Sequence, residues 1–212
     1  MRLSVVRHGE TAFNCEDRLT GQRDIPLSPL GQRQARLVGA YLADRPISVI
    51  VCSDLQRTRL TARAIAEYHD LTVEEDPDIR EISLGEWEGQ TIEEVAARDP
   101  ELVRNWRQDG VLYAPPGGET LPQVRRRVAR ALDRWSTRYP DGHVLWVAHG
   151  GLIGVLICHL LDIDLNRRRQ FRHANASLTE FVYTPERIEF VHLNETGYLS
   201  RIKEPVASDR EA

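Results

Sequence analysis

The sequence predicts an α/β fold, a three-layer αβα sandwich with a mainly parallel central sheet and a helical insertion. Three observations predict it. Short apolar or β-branched runs alternate with amphipathic segments of helical period, the pattern of a layered fold with parallel strands. Three of those runs end in chemically loaded residues, and parallel strands deliver such residues to one edge of the sheet. One internal stretch, about 84–118, carries helix signals and no strand.

The elements follow in order. Leu3 to Val6 is a strand that runs into Arg7-His8-Gly9-Glu10-Thr11. A polar loop reaches Leu27. Ser28 and Pro29 then open a helix, Ser as N-cap and Pro at the first helical position, with Leu30, Val38, Tyr41 and Leu42 as its apolar face up to Ala43. Ile47 to Cys52 is a buried strand. Ser53-Asp54 caps a helix from about Leu55 to Tyr68, and Thr72 to Glu74 is a short third strand. Asp76 to Gln90 reads as an ordered loop. Thr91 with Glu94 forms a capping box, Asp99-Pro100 opens another helix, and Thr120 with Gln123 caps a third. That third helix turns Val124, Val128, Ala131, Leu132 and Trp135 inward and leaves Arg125, Arg126 and Arg127 on its wet face. Val144 to Ala148 is a fourth strand ending in His149-Gly150-Gly151, followed by a buried helix over Leu152 to Leu161. Leu178 to Tyr183 and Ile188 to Leu193 form a terminal hairpin. The expected layout is one domain over 1–202, with 84–118 inserted, and a polar, frayed tail over 203–212.

Composition narrows the function classes. The chain has 212 residues, 41% hydrophobic and 28% charged, with a net charge of -4. No general attraction to nucleic acid or to an anionic membrane follows from such a charge. Three cysteines, Cys15, Cys52 and Cys158, without a C-x-x-C pair indicate a reducing compartment. Cys52 and Cys158 lie in apolar runs and Cys15 in a polar loop. The chain enters a strand at once, and its longest apolar run is too short to span a bilayer. A cytoplasmic location is therefore expected.

The strand ends carry the chemistry. The first gives Arg7 and His8, the second leads to Arg57 in the first turn of its helix, and the fourth gives His149. Two histidines and two arginines converging on one sheet edge form a cationic, phosphate-handling site. Two guanidiniums offer fixed forks for phosphate oxygens. Their charge should also hold His8 neutral, hence nucleophilic, near neutral pH. Two histidines without carboxylate or thiolate neighbours make a poor metal set, so no metal and no cofactor are expected.

These residues sit in a longer pattern: Asn14, Arg18, Gly21, Pro26-Leu27-Ser28, Gly31, Gln34-Ala35, Ser53-Asp54-Leu55, Arg57-Thr58, Thr61-Ala62, Arg80-Glu81, Gly85, Trp87-Glu88-Gly89, Pro116-Gly117-Gly118-Glu119 and Ala148-His149-Gly150-Gly151. Taken together and in order, they resemble the histidine phosphatase superfamily, also called phosphoglycerate mutase-like, over almost the whole chain. The resemblance implies that His8 is phosphorylated and that Arg7, Arg57 and His149 hold the phosphoryl oxygens. Asn14 and Gly150 complete the implied phosphate-binding set. Glu81 would be the acid that protonates the leaving oxygen, and the 84–118 insertion would lie over the active site. The acid phosphatase and phytase branch places its proton donor directly after the second His. Glycines stand there in this chain, which favours Glu81. Nearby arginines should keep Glu81 a carboxylate, and a bound phosphate dianion should drive it to take up a proton. Glu10, Glu88 and Glu119 are expected to orient or cap, and a salt bridge from Glu81 to Arg80 or Arg57 is the plain structural reading.

The expected activity is metal-independent hydrolysis of a small phosphorylated metabolite through a phosphohistidine, in the manner of broad-specificity, α-ribazole and phosphoserine phosphatases. A cofactor-dependent phosphoglycerate mutase is the alternative. Mutases carry a longer insertion that supplies basic residues, whereas only Glu88 to Pro115 spans that gap here, with Arg98, Arg104 and Arg107. A silent phospho-ligand or protein-binding module is the remote alternative. The partner expected is a small phosphomonoester, with a homodimer left open. Trp106, Val111, Leu112 and Tyr113 are expected to set substrate choice, and Thr20 to shape the rim. Arg167, Arg168, Arg169 and Arg172 could read a second anionic group but are read as a solvated helix end.

Overall fold

The computed structural model describes residues 1–184 and 186–203, with side chains through residue 200. The expected tail from Lys203 to Ala212 lies outside the described residues, apart from the backbone of Lys203. Six strands form one sheet: β1 (Arg2–Arg7), β2 (Val49–Cys52), β3 (Val73–Glu75), β4 (His143–Ala148), β5 (Leu178–Thr184) and β6 (Arg187–Glu195), in the order β3-β2-β4-β1-β5-β6. The first four in that order run parallel, and β5 and β6 form the antiparallel hairpin at one side.

Period-two alternation divides the core between the two faces. Leu3, Val5, Val49, Val51, Val144 and Trp146 point to one cluster, while Val6, Ile50, Leu145 and Val147 point to the other. The first face is covered by α6 (Leu121–Arg138) and α7 (Gly150–Leu160), the second by α2 (Pro29–Leu42) and α3 (Gln56–Ala66). A sheet covered on both faces explains why its central strands are continuous apolar runs.

Helix starts follow the predicted caps closely. The Ser28 hydroxyl accepts from the Gly31 N–H, and Thr91 and Thr120 head their capping boxes. Two details differ. A four-residue helix, α1 (Ala12–Cys15), interrupts the first loop and leaves Cys15 exposed. The helix α3 has Leu55 as an N-cap without a side-chain bond, because Ser53 and Asp54 are engaged elsewhere. On α2 the buried residues are Gly31, Ala35, Val38, Gly39 and Leu42, whereas Tyr41 stacks on Tyr198 outside the core. The segment 84–118 holds α4 (Ile92–Arg98) and α5 (Pro100–Gln108) and no strand. Among the described residues no helix is long and apolar enough to cross a membrane.

Candidate active site

Register places the chemistry. Arg7 pairs with Ala148 and Cys52 with Val147, so His8, His149 and Ser53 leave adjacent parallel strands at the same edge. The turn after β1 is tight against α2. A Cβ on Gly9 would stand 2.4 Å from the Gly31 carbonyl oxygen, and one on Gly31 would stand 2.1 Å from that of Glu10. Only glycines allow this approach.

His8 is buried, and its Nδ1 lies 2.7 Å from the Gly9 carbonyl oxygen. A carbonyl can only accept, so Nδ1 carries the hydrogen and Nε2 keeps its lone pair. Burial, then the charges of Arg57 and Arg7, push the ring well below the usual histidine range. Burial is the larger cause, where the sequence pointed to the arginines. The result is a neutral imidazole with a fixed tautomer.

His149 departs from expectation. It is fully buried 5.2 Å from the His8 ring, and it does not line the cavity. Its Nδ1 accepts from Arg57 Nε at 3.2 Å, and its Nε2 meets Ser53 Oγ at 2.8 Å. The Thr58 hydroxyl donates to the Leu55 carbonyl, so it accepts from Ser53, and Ser53 accepts from His149. This chain is self-consistent only with a neutral His149. Burial and Arg57 likewise push its ring well down. His149, expected to hold phosphoryl oxygens, instead orients Arg57 and backs His8.

The guanidinium of Arg57 is buried, donating also to the carbonyls of Arg23 and Gly21, each at 2.7 Å. Burial lowers it to about 10, so it stays cationic at neutral pH. Arg7 donates to the His173 carbonyl at 2.6 Å, and its Nε has no partner among the described residues. Asn14 is fixed by Thr11, whose N–H and hydroxyl both donate to its Oδ1, as does Asn175 Nδ2. Three donors on Oδ1 leave Nδ2 as the group facing the cavity, which Asn14 lines. Gly150 lines it too, at the positive end of α7. Asn175 also donates to the His8 carbonyl. It was missed because a lone Asn in a turn carries no sequence signal.

Glu81 also lines the cavity. Its carboxylate accepts the amide N–H groups of Ile82 (2.8 Å), Gly151 (3.0 Å) and Leu152 (2.9 Å), and so caps α7. A Cβ on Gly151 would fall 2.7 Å from Glu81 Oε1, so the glycine is what admits the carboxylate. The salt-bridge reading fails for Arg80, which pairs with Asp54 instead. The other acids cap or pair: Glu10 accepts from Ser28, Glu88 from the amides of Gln22 and Leu84, and Glu119 pairs with Arg127.

Arg127 is a second correction. It is 7% exposed, not part of a wet face. It donates to Glu119 and to the carbonyls of Asp78, Arg80 and Glu81. One guanidinium thus fixes the segment that carries Glu81. Replacing it with methionine leaves these acceptors unpaired. The expected loss is about 3 kcal/mol, a fall in Tm of about 6–12 °C, read by thermal unfolding. Arg127→Lys should recover only part, because an ammonium cannot span these acceptors.

The cavity, about 610 Å³, extends well beyond His8. Its other half is formed by Leu84, Trp106, Arg168, Arg169, Phe171 and Arg172. Trp106 is placed as expected, and Thr20 is at the rim, but Val111, Leu112 and Tyr113 do not line the cavity and Leu112 is 72% exposed. Nor do Arg98, Arg104 and Arg107. The solvated-helix-end reading is corrected for Arg168, which is buried; Arg169 and Arg172 are exposed as expected, and all three line the cavity. Arg167 is exposed outside it.

Among the described residues no cluster of three or more His, Cys, Asp or Glu side chains could hold a metal ion. Comparisons with known proteins agree with the fold. The sequence model of the histidine phosphatase superfamily (branch 1) matches residues 3–196. A bifunctional protein of Mycobacterium tuberculosis is 39% identical over 201 residues, 93% of this chain. The chain spans only about half of that relative's length, 55%. A probable phosphoglycerate mutase of Yersinia pestis is 34% identical over 187 residues, covering 86% of this chain and 85% of the relative. Among solved structures, a mycobacterial glucosyl-3-phosphoglycerate phosphatase superposes with a TM-score of 0.85 at 33% identity, covering 92% of this chain and 99% of its own. The α-ribazole phosphatase of Shigella flexneri does so with 0.85 at 28% identity, covering 92% and 96%.

Proposed function

Since this chain belongs to the histidine phosphatase superfamily, we propose that it hydrolyses a small phosphomonoester through a phosphohistidine on His8, without a metal ion. The observation that carries the reading is His8 itself. It is buried and neutral, with Nδ1 tied to a carbonyl and Nε2 free, between two arginines. In the proposed cycle Nε2 attacks phosphorus and the ester oxygen leaves. Arg7, Arg57, Asn14 and the N-terminal end of α7 balance charge on the three remaining oxygens, the part a metal ion plays in other phosphoryl transfers. Water then attacks the phosphohistidine and frees inorganic phosphate.

Glu81 is assigned the proton. Its carboxylate sits on three amides when the site is empty. In the proposed cycle Glu81 carries a proton once the substrate is bound. Glu81 then protonates the leaving oxygen and takes a proton back from the attacking water. For Glu81→Gln the expected result is a drop in kcat/KM of about 10²–10⁴-fold for an alkyl phosphate. The drop should be smaller for a p-nitrophenyl ester, whose leaving group needs no proton. Equal loss on both esters, or none, sinks the assignment. Activity of the wild type that survives extensive chelation supports the metal-free reading.

Hydrolysis is preferred to mutase chemistry for a structural reason. The arginines over the cavity come from residues 168–172 and not from the insertion, which contributes Leu84 and Trp106 to the wall. A short insertion leaves the phosphohistidine open to water. The relationship to a probable phosphoglycerate mutase supports testing for transfer to a second substrate hydroxyl in the same assay.

A further inference from the structure

The cavity holds more positive charge than one phosphoryl group needs. It is lined by six arginines and one carboxylate, Glu81, in a chain whose net charge is -4. Arg7 and Arg57 flank His8, and Arg18 is paired with Glu16 and Glu94. That leaves Arg168, Arg169 and Arg172, none of which has an acidic partner among the described residues.

Arg168 is the informative one. It is 6% exposed, yet no described residue accepts a hydrogen bond from its guanidinium or pairs with it. Burying a lone charge is costly, so such a group is normally paired. Burial, and then Arg169 beside it, lower its guanidinium to about 10, so it is still charged at neutral pH. Two like charges are thus held together over one indole: Arg168 lies 6.0 Å and Arg169 4.4 Å from the centre of the Trp106 ring. The wall is clipped in place. Asn166 accepts from the Gly110 N–H at 2.9 Å and donates to Asp109 at 3.1 Å, joining the turn that carries Arg168 to the 84–118 segment. A rigid, buried, unpaired cation at a cavity wall is a site built for an anion.

We propose that Arg168 and Arg169, with Trp106 beneath them, form a subsite for a second anionic group, a carboxylate or a second phosphate, carried by the substrate beyond its scissile phosphate. The proposal rests on the phosphomonoester reading of the His8 end. It places the substrate among small phosphomonoesters that carry a further carboxylate or phosphate, tri- or tetraanionic in all, and excludes phosphorylated neutral alcohols as preferred substrates.

Matched pairs test it. For a carboxylate, 3-phosphoglycerate is compared with glycerol 3-phosphate. For a second phosphate, 1,3-propanediol bisphosphate is compared with 3-hydroxypropyl phosphate. Wild type should favour the charged member of at least one pair by about tenfold or more in kcat/KM, the scale of a charge-assisted hydrogen bond. The larger ratio identifies the group. In Arg168→Met that ratio should collapse toward one, and in Arg168→Lys it should persist in part. Ratios near one in wild type, or an unchanged ratio in Arg168→Met, overturn the subsite. If Arg168→Met does not fold, calorimetric binding to wild type of 3-phosphonopropionate and of 1,3-propanediylbisphosphonate, each against propylphosphonate, decides in its place, and equal affinities in both comparisons overturn the proposal. Preferential binding of the carboxylate without turnover of any ester would sink the hydrolase reading and leave the subsite standing.

Discussion

His8→Ala is expected to lower kcat/KM for an aryl phosphate by about 10⁴-fold or more, the scale on which removal of a covalent nucleophile acts. The loss should be one of chemistry and not of the site. Arg57 keeps its bonds to the carbonyls of Gly21 and Arg23 and to His149. Asn14 keeps its three donors, because two come from Thr11 and one from Asn175. The variant should therefore bind inorganic phosphate with an affinity within about tenfold of wild type, within the reach of one lost neutral hydrogen bond. Calorimetry with phosphate and steady-state turnover separate the two effects. A variant that retains a tenth of wild-type activity would remove His8 from the chemistry. One that no longer binds phosphate would show His8 to be a structural residue.

The second large effect is on stability in acid. His143 and His173 are buried, and burial lowers each ring to about 4, while an unfolded histidine titrates near 6.5. Between those values the unfolded chain binds more protons than the folded one, so stability falls as pH falls. The stabilisation is complete above about pH 6.5 and fully lost by about pH 4. At pH 5 each ring costs about 2 kcal/mol relative to pH 7. His8 and His149, pushed down by burial in the same direction, add to it. From His143 and His173 alone Tm should fall by about 8–16 °C between pH 7 and pH 5. Scanning calorimetry across that range checks it, and a flat Tm would mean that these rings are charged or exposed in the folded protein.

Much of this molecule could be read before its fold was known. Three strand ends carry Arg7, Ser53 and His149, and parallel pairing alone brings them together. Ser28 and Thr91 begin helices because each bonds an N–H three residues on, and Thr120 because Gln123 reaches back to its N–H, wholly local events. What could not be read depends on partners far along the chain. Arg127 lies on an amphipathic helix beside Arg125 and Arg126, and nothing local separates it from them. Its partners are the carbonyls of Asp78, Arg80 and Glu81 and the Glu119 carboxylate. Arg168 and Arg169 sit in a run of arginines that reads as solvated surface, until the sheet brings that turn over His8. His149 carries a motif that suggests contact with substrate. Its two ring nitrogens are instead taken by Ser53 and Arg57, at separations of 96 and 92 residues. The helix α1 escaped notice because four residues are too few for any period to show.

The most direct test of the account is to catch the intermediate. Wild-type protein mixed with a phosphomonoester labelled in its phosphoryl group, quenched in alkali within milliseconds and digested, should yield up to one phosphoryl group per chain. It should be stable to base and labile to acid, and lie on the peptide containing His8. Label on Cys15, on His149 or on no residue while turnover proceeds at full rate would contradict the account.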